Sequence, residues 1–415
     1  MIDHGDFIKT FALLHDFAVN GNRVAIIANA GNKTTKYITI PPNESPPGPL
    51  LDLAAEMKSA VNIPVVAIAK INGPDLAESA LSGGKADFIG MARALVADPE
   101  LPQKAAAGLV ADIRSCNYCL QDCAEKGVPG IGRCCGVNPF AGNEYAWKIL
   151  PVQDKKKVLV IGGGPSGIQA AITASQRGHH VELWEQGNLG GQARLAPIAP
   201  FKEDTADILR YLKHVLDDSG VRVFANRPAK VSDILDQAPD VVIVATGSRP
   251  AMLSIPGADS DMTTDVRSVY ENRSIDGQKI VIIGGGDIGC ETADWLAGLN
   301  RQVTVVEILP DVLHRMKKIP KQRLLARLAR KNVTILTQTR ITAIEKNRVF
   351  LETKDGSTFG LEADRVIFAI DAVSENRMVD DLKGKVKQVM AVGDADYPGN
   401  LGAALRSGTA AALNI

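Results

Sequence analysis

The 415-residue chain has only six cysteines and six histidines, and its 47 basic and 47 acidic residues leave no net charge. No basic block and no stripe of aromatic and basic residues indicates a nucleic-acid surface. Because no apolar run reaches about 18 residues, no membrane-spanning helix is predicted. The first residues lack a basic stretch followed by an apolar one, so no signal peptide is predicted. These absences indicate a cytoplasmic protein that binds neither nucleic acid nor a membrane.

The cysteines are unevenly placed, because five of the six fall in the window Ser115–Pro139. Clustered cysteines in a cytosolic protein more often bind metal or carry out redox chemistry than form disulfides. Two residues separate Cys116 from Cys119, three separate Cys119 from Cys123, and eleven more precede Cys135. Four such thiolates suit an iron–sulfur cluster or a tetrahedral zinc ion. Zinc sites favour two Cys-x-x-Cys pairs and this window has one, so [4Fe–4S] is favoured over zinc and over unpaired structural cysteines.

Residues 1–113 alternate strand and helix signals, which is typical of a parallel sheet. Buried strands are predicted in segments 23–31, 63–71 and 86–95, and helices in segments 6–17, 50–61 and 75–84. A closed eight-stranded barrel takes about 250 residues, so three strands form only part of one. The exposed edges of such a partial barrel predict association with a partner subunit or with another copy of the chain.

From Lys157 onward the same nucleotide-binding pattern occurs twice. The first copy, "KVLVIGGGPSGIQAA", is a buried strand that leads into Gly162, Gly164 and Gly167 and then into a helix. The first glycine permits a tight turn, the second lets a pyrophosphate approach the backbone, and the third allows the helix to pack on the strand. The helix N-terminus offers N–H groups to the phosphates. Glu185 ends the next strand, where an acid can hold ribose hydroxyls.

The second copy, "KIVIIGGGDIGCETA", places Gly284, Gly286 and Gly289 in the same order, and its next strand ends at Glu307. A single glycine triplet is a weak signal, but strand, triplet, helix, strand and acid, repeated in order, indicate two dinucleotide sites. A carboxylate at Glu307 favours a 2′-hydroxyl and repels a 2′-phosphate. The sequence therefore predicts NADH rather than NADPH at the second site.

Two dinucleotide folds, the second inserted in the first, resemble the glutathione-reductase-like flavin disulfide reductases. The resemblance implies FAD in the first fold, the nicotinamide in the second, and a flavin contact at Asp394, for which helix capping is the alternative role. The candidate nucleotide contacts are Gly162, Gly164, Pro165, Ser166, Gly167, Glu185, Gly191, Gln192, Ala245, Thr246, Gly247, Gly284, Gly286, Gly289, Glu307, Gly393 and Asp394. No redox-active Cys-x-x-x-x-Cys follows the first motif, so disulfide reduction is excluded.

The cysteine window resembles that of the iron–sulfur flavoenzymes related to 2,4-dienoyl-CoA reductase and trimethylamine dehydrogenase. The resemblance rests on "DIRSCNYCLQDC", "CCGVNP", "GMARALVADPELPQKAAAG" and "VLVIGGGPSG", and it covers nearly the whole chain. It implies four cluster ligands, which are Cys116, Cys119, Cys123 and Cys135. Cys135 is preferred to Cys134 because the family's fourth cysteine lies in a Cys-x-Val-Asn-Pro sequence. Cys290 is predicted to be a small packing residue.

The barrel departs from the pattern of this family, whose members carry FMN in an Old-Yellow-Enzyme-like barrel. The resemblance implies that Lys70 and Arg93 hold an FMN phosphate. The strands that would carry most of the flavin-ring site are missing, however, and the loop 32–41 lacks the catalytic histidine of the reductases. FMN therefore stays a further candidate cofactor beside [4Fe–4S], FAD and NAD(H), and no catalytic residue is assigned.

The predicted fold is α/β. A partial (β/α) barrel segment spans 1–113, a cysteine-rich iron–sulfur segment spans 114–150, and two nested Rossmann-like domains follow. Their predicted ligands are FAD or ADP for 151–254 with 376–415, and NAD(H) for 255–375.

The leading hypothesis is an iron–sulfur flavoprotein oxidoreductase that moves electrons between NADH, FAD and a [4Fe–4S] cluster. The electrons would then pass to a partner subunit or a redox acceptor protein. One alternative is a complete FMN-containing 2,4-dienoyl-CoA or enoate reductase, or an amine dehydrogenase. Another is a non-catalytic nucleotide-binding paralogue.

Overall fold

The computed structural model describes residues 17–19, 22–30, 36–124, 130 and 132–415. Residues 6–16 of the first predicted helix lie outside this part of the chain. The chain divides into two compact units, of which the first ends at Glu144 and the second is Tyr145–Ile415. None of the helices in the described ranges is both long and apolar enough to cross a membrane.

The strands are β1 Phe17–Val19, β2 Asn22–Ala28, β3 Val65–Ala67, β4 Phe88–Ile89, β5 Lys157–Ile161, β6 His180–Trp184, β7 Arg222–Phe224, β8 Val241–Val244, β9 Ser248–Pro250, β10 Thr263–Asp265, β11 Lys279–Ile283, β12 Gln302–Val306, β13 Thr334–Leu336, β14 Thr339–Glu345, β15 Arg348–Thr353, β16 Thr358–Glu362, β17 Arg365–Phe368, β18 Ala372–Ser374 and β19 Gln388–Ala391. The helices are α1 Lys36–Thr39, α2 Leu51–Ala60, α3 Pro74–Ser82, α4 Ala92–Ala97, α5 Leu101–Ala106, α6 Pro165–Gln176, α7 Ala206–Asp217, α8 Val231–Asp236, α9 Val266–Asn272, α10 Asp287–Gly298, α11 Lys318–Arg330, α12 Arg377–Leu382 and α13 Leu401–Leu413.

The first unit contains a sheet in the order β1-β2-β3-β4. The strands β2, β3 and β4 are parallel, as the sequence predicts, and β1 adds an antiparallel edge that the pattern did not reveal. The predicted strand 86–95 is mostly wrong, because only Phe88–Ile89 is extended and the helix α4 begins at Ala92. The alanine-rich segment after Met91 is a good helix former, and this preference prevails over its apolar character.

The second unit contains two parallel five-stranded sheets, as the repeated motif predicts. Their orders are β19-β8-β5-β6-β7 and β10-β17-β11-β12-β13. The strand β19 follows every strand of the second sheet in the chain and pairs with β8 of the first, so the second fold is inserted in the first. The strand β9, which follows the last strand of the first fold before the insertion, pairs antiparallel with β18, which follows the last strand of the second fold. The predicted nested α/β architecture is confirmed.

A buried histidine, His179, connects the residue before β5 to the residue before β6 through a hydrogen bond. His179 is 5% exposed, and its Nδ1 accepts a hydrogen bond from the backbone N–H of Lys156 at 3.1 Å. The imidazole is therefore neutral, with its proton on Nε2. Burial, followed by the nearby charge of Arg177, lowers the pKa of His179 below its usual value. His180, the next residue, is exposed.

We expect His179 to make the second unit less stable in acid. The unfolded chain takes up the imidazole proton at a higher pH than the folded chain, so stability falls as the pH drops through and below the ordinary histidine range. The measurement is the thermal midpoint at pH 7.5 and 5.5. His179→Asn, whose Oδ1 can replace Nδ1 as the acceptor, should lose less stability on acidification than the wild type. The matched variant His180→Asn should behave as the wild type does, and equal acid sensitivity in all three proteins would contradict the assignment.

Candidate functional site

The first glycine turn connects β5 to α6 with three different constraints. A Cβ on Gly162 would lie 2.3 Å from the carbonyl oxygen of Ala245, and the φ of Gly162 is +109°. A Cβ on Gly167 would lie 2.0 Å from the carbonyl oxygen of Gly162, so the helix can approach the strand only without a side chain here. A Cβ on Gly164, in contrast, would meet no atom within 4 Å. That open space at the helix N-terminus is where a pyrophosphate can approach the backbone.

The second glycine turn, between β11 and α10, repeats these contacts. A Cβ on Gly284 would lie 2.5 Å from the carbonyl oxygen of Ala369, and one on Gly289 would lie 2.0 Å from the carbonyl oxygen of Gly284. A Cβ on Gly286 would again meet nothing within 4 Å. Both turns therefore have the geometry of a dinucleotide-binding turn.

Each glycine turn donates a hydrogen bond to the glutamate that follows the next strand of its sheet, which is β6 in the first fold and β12 in the second. The N–H of Gly163 donates to Glu185 and that of Gly285 to Glu307, each at 2.7 Å. The other oxygen of each carboxylate accepts the N–H of the residue two positions further on, at 2.7 and 2.8 Å. A carboxylate oxygen can accept more than one hydrogen bond, so both acids can still hold a ribose hydroxyl. The sequence predicted the ribose contact and missed these hydrogen bonds.

The other candidate residues of the first site surround its glycine turn. A Cβ on Gly191 would lie 3.0 Å from the Cα of Gly164, and one on Gly393 would lie 2.4 Å from the Oγ of Ser166. Pro165 and Ser166 open α6, and directly after β8 come Ala245, Thr246 and Gly247. Segments far apart in the sequence therefore meet at the carboxyl ends of β5 and β8, where ligands of such sheets bind.

Ser248 is a polar residue at this site that the sequence reasoning missed. It is 4% exposed, and its Oγ donates to the Oδ2 of Asp394 at 3.2 Å and accepts from the Nε2 of Gln192 at 3.1 Å. The second oxygen of Asp394 accepts the N–H of Gly399 at 3.0 Å. The side chain of Asp394 is therefore held in place by two partners. Its position after β19 does not suit it to cap α13, because Asn400 takes the cap position.

The four predicted cluster cysteines line a single pocket in the first unit. The lining includes Cys116, Cys119, Cys123 and Cys135 together with Arg93, Tyr118 and Gly136. Cys134 is 1% exposed and lies outside this lining. A Cβ on Gly136 would lie 3.1 Å from the Sγ of Cys119, which explains why a residue without a side chain follows Cys135.

Backbone N–H groups point at the cysteine sulfurs. Tyr118 N lies 3.4 Å from the Sγ of Cys116, and Val137 N lies 3.5 Å from the Sγ of Cys135. Burial raises the pKa of Cys116 to about 12, and it also raises the pKa of each of the three other pocket thiols. A bound metal displaces the thiol protons, and N–H groups aimed at sulfur then stabilise the thiolates.

The loop that carries Cys135 is anchored through Asn138. Its Nδ2 donates to the carbonyl oxygen of Val96 at 3.0 Å, and its Oδ1 accepts the N–H of Phe140 at 3.1 Å. The asparagine of the Val-Asn-Pro sequence thus ties the loop to α4. The donor set and its anchoring fit a cluster. In the described residues no three His, Cys, Asp or Glu side chains converge on one metal-ion position.

Lys70 and Arg93, the predicted FMN-phosphate contacts, bond to neighbouring backbone. The Nζ of Lys70 donates to two carbonyl oxygens of the loop 41–45, at 2.6 and 2.7 Å, and the Nη1 of Arg93 donates to a third at 2.6 Å. Both cations lie on the ring of Tyr118, with 5.2 Å from the Nζ and 4.6 Å from the Cζ to the ring centroid. Their predicted contact with FMN stays a prediction.

The fold and the two glycine turns together define a protein with two dinucleotide-binding domains. Residues 156–408 match the pyridine nucleotide-disulphide oxidoreductase family, and residues 3–112 match the NADH:flavin oxidoreductase / NADH oxidase family. The chain belongs to the pyridine nucleotide-disulphide oxidoreductases and, with both regions joined, to the 2,4-dienoyl-CoA reductase family, as the resemblance predicts. The predicted family is thereby confirmed.

Three similar proteins illustrate the range of this family. The chain is 37% identical over 372 residues to an NADH oxidase of Thermoanaerobacter brockii, covering 88% of this chain and 57% of that protein. It is 35% identical over 387 residues to a metal reductase of Desulforamulus reducens, covering 85% and 58%. A solved structure of 2-naphthoyl-CoA reductase with 2-naphthoyl-CoA matches with a TM-score of 0.86 and 32% identity, covering 90% and 57%. The chain therefore spans less than two thirds of each of these proteins.

Proposed function

We propose that this protein moves electrons between NADH, FAD and a [4Fe–4S] cluster and passes them to a partner subunit or a redox acceptor protein. The observation that carries the proposal is the pocket lined by four cysteines, in a chain whose second unit has two dinucleotide turns. When bound, FAD would take two electrons from NADH as hydride and release them singly to the cluster.

The first site is assigned to FAD. Gly164 leaves room for the pyrophosphate, the N-terminus of α6 offers it N–H groups, and Glu185 holds the ribose of the adenosine. Asp394 accepts hydrogen bonds from Ser248 and from the N–H of Gly399, and in this assignment it would hold the ribityl chain of FAD. A nucleotide without that chain, such as ADP, would leave Asp394 without a ligand contact.

The second site is assigned to NADH. Gly286 leaves room for the pyrophosphate at the N-terminus of α10, and Glu307, which accepts the N–H of Gly285, would hold the ribose. Glu307 is 7% exposed, so a 2′-phosphate would be brought against a poorly solvated carboxylate. Like charges in such a place cost several kcal/mol.

Cys116, Cys119, Cys123 and Cys135 are assigned as the cluster ligands. A [4Fe–4S] cluster is held by four thiolates with one on each iron, so its ligands line a cavity rather than converge on a point. The N–H groups of Tyr118 and Val137 then stabilise the ligand sulfurs. Cys134 has no role in binding.

A second candidate function is substrate reduction by a complete FMN-containing enzyme. It is favoured by the 2-naphthoyl-CoA reductase, which covers 90% of this chain. The barrel segment ends at the edge strand β4, where Phe88 is 57% exposed. Under the electron-transfer proposal, in contrast, a partner subunit that supplies further barrel strands would pair with this edge and provide the substrate site.

The experiment that tests the proposal is an anaerobic purification followed by iron, sulfide and flavin analysis. Four irons with one FAD and no FMN support electron transfer to a partner. Stoichiometric FMN with reduction of an enoyl-CoA or oxidation of a methylamine would replace it with the second candidate. A colourless protein without iron or flavin would contradict both functions.

We expect the reduction of an artificial acceptor to use NADH with a kcat/KM at least about 10-fold higher than with NADPH. Tenfold corresponds to about 1.4 kcal/mol, which is less than the cost of placing a phosphate against a buried carboxylate. Steady-state kinetics with both nucleotides measure the ratio. Glu307→Ser should lower this NADH-to-NADPH ratio, because it removes the carboxylate that repels the 2′-phosphate. A wild-type preference for NADPH would refute the role of Glu307.

A further inference from the structure

Two cationic side chains lie against the ring of Tyr118, which lines the cysteine pocket. Arg93 also lines that pocket, with its Cζ 4.6 Å from the ring centroid, and the Nζ of Lys70 lies 5.2 Å from the same point. Tyr118 is 2% exposed. Arg93 therefore lies beside the cysteines, and both cations are held by a buried aromatic ring, which attracts cations to its face.

Arg93 is oriented by a neutral group. Its Nη1 donates to the carbonyl oxygen of Pro41, and a carbonyl oxygen does not cancel the charge of the guanidinium. The Nζ of Lys70 donates to two carbonyl oxygens of the loop 41–45. Arg93 lines the same pocket as Cys116, Cys119, Cys123 and Cys135, so its charge lies beside these four side chains.

The backbone around this group is strained. Ala69, Lys70, Tyr118 and Leu120 have φ values of +82°, +46°, +52° and +55°. In the described part of the first unit these are the non-glycine residues with positive φ, and all four lie in the two segments that bring Lys70 and Tyr118 to the pocket. Strain of this kind persists where the surrounding structure enforces it and clusters at functional sites.

We propose that Arg93, assisted by Lys70, sets the reduction potential of the cluster in the cysteine pocket. The inference rests on the proposed function, because it requires the cluster. A reduced cluster carries one more negative charge than an oxidised one, so a fixed positive charge nearby stabilises the reduced form and raises the potential. Arg93 is a positioning residue in this role, since it acts on the cluster through its charge and not as a ligand.

The experiment is a redox titration of the anaerobically purified full chain, followed by electron paramagnetic resonance. Arg93→Met is expected to shift the midpoint potential of the cluster to a more negative value. Arg93→Lys, which keeps the charge, should retain most of the wild-type potential. Lys70→Met should shift the potential in the same direction by less, because Arg93 lines the cysteine pocket and Lys70 lies outside that lining. Arg340→Met is the control, since Arg340 pairs with Glu352 on the surface of the second unit.

Iron, sulfide and flavin are assayed in each variant before titration. Unchanged potentials in Arg93→Met and Lys70→Met with full iron content overturn the inference and leave the proposed function intact. If Arg93→Met binds no iron, the midpoint potential of the cluster in Lys70→Met tests the inference, and an unchanged potential there overturns it. Loss of FMN from Arg93→Met at an unchanged potential assigns Arg93 to the FMN phosphate and overturns the inference. A wild-type protein without iron refutes the proposed function and the inference together.

Discussion

Replacing Cys135 with alanine is expected to abolish iron binding, whereas replacing Cys134 with alanine is expected to preserve it. The two residues are neighbours in the sequence and both are buried, but only Cys135 lines the pocket. Loss of a partner of a metal ligand costs roughly 10- to 100-fold in metal affinity, and loss of the ligand itself should cost more. Cys135→Ala should also lower the thermal midpoint of the first unit, because metal binding contributes to folding.

The measurement is iron and acid-labile sulfide per chain, with the visible absorption of the cluster. The pair is matched, since each variant removes one sulfur atom from the same loop. Cys134→Ala should cost only about 1 kcal/mol of stability, which is typical of a small buried deletion. Retention of iron by Cys135→Ala together with loss from Cys134→Ala would reverse the assignment of the fourth ligand.

Two alanine substitutions in the second glycine turn are expected to differ in their effects. Gly286→Ala should weaken NADH binding without affecting folding, and Gly289→Ala should destabilise the fold. Gly286→Ala should leave the fold intact, because the added methyl meets nothing within 4 Å and the φ of −70° suits any residue. The methyl group would occupy the space that a pyrophosphate needs. Loss of one hydrogen bond to a charged group costs roughly 1.5–3 kcal/mol, so we expect the KM for NADH to rise about 10- to 100-fold.

Gly289→Ala should instead destabilise the second nucleotide fold itself. Its methyl group would lie 2.0 Å from the carbonyl oxygen of Gly284. This clash can be relieved only if α10 moves away from β11. Overpacking of this kind costs about 1–3 kcal/mol or more. Thermal unfolding, bound FAD and the KM for NADH separate the two variants. A normal KM in Gly286→Ala, or a normal melting temperature in Gly289→Ala, would contradict the assigned roles of these glycines.

The architecture of the second unit is largely predictable because its signals are local. A buried strand, a glycine triplet and a helix lie within about 20 residues of each other, and each glycine is required by a neighbour a few positions away. The family follows from the same stretches together with the cysteine spacing. The predicted strand 86–95 was harder to assign, because the apolar segment after Phe88 fits a helix as well as a strand.

The sequence by itself determined the repeated nucleotide fold and the family, and it predicted which cysteines bind a cluster. Only the tertiary structure placed Ser248 against Asp394 and brought Arg93 and Lys70 to the ring of Tyr118. These contacts join residues whose partners are set by the packing of distant segments or by the direction of a side chain. Neither is encoded in the spacing of nearby residues, and both arise only when the strands and loops are brought together.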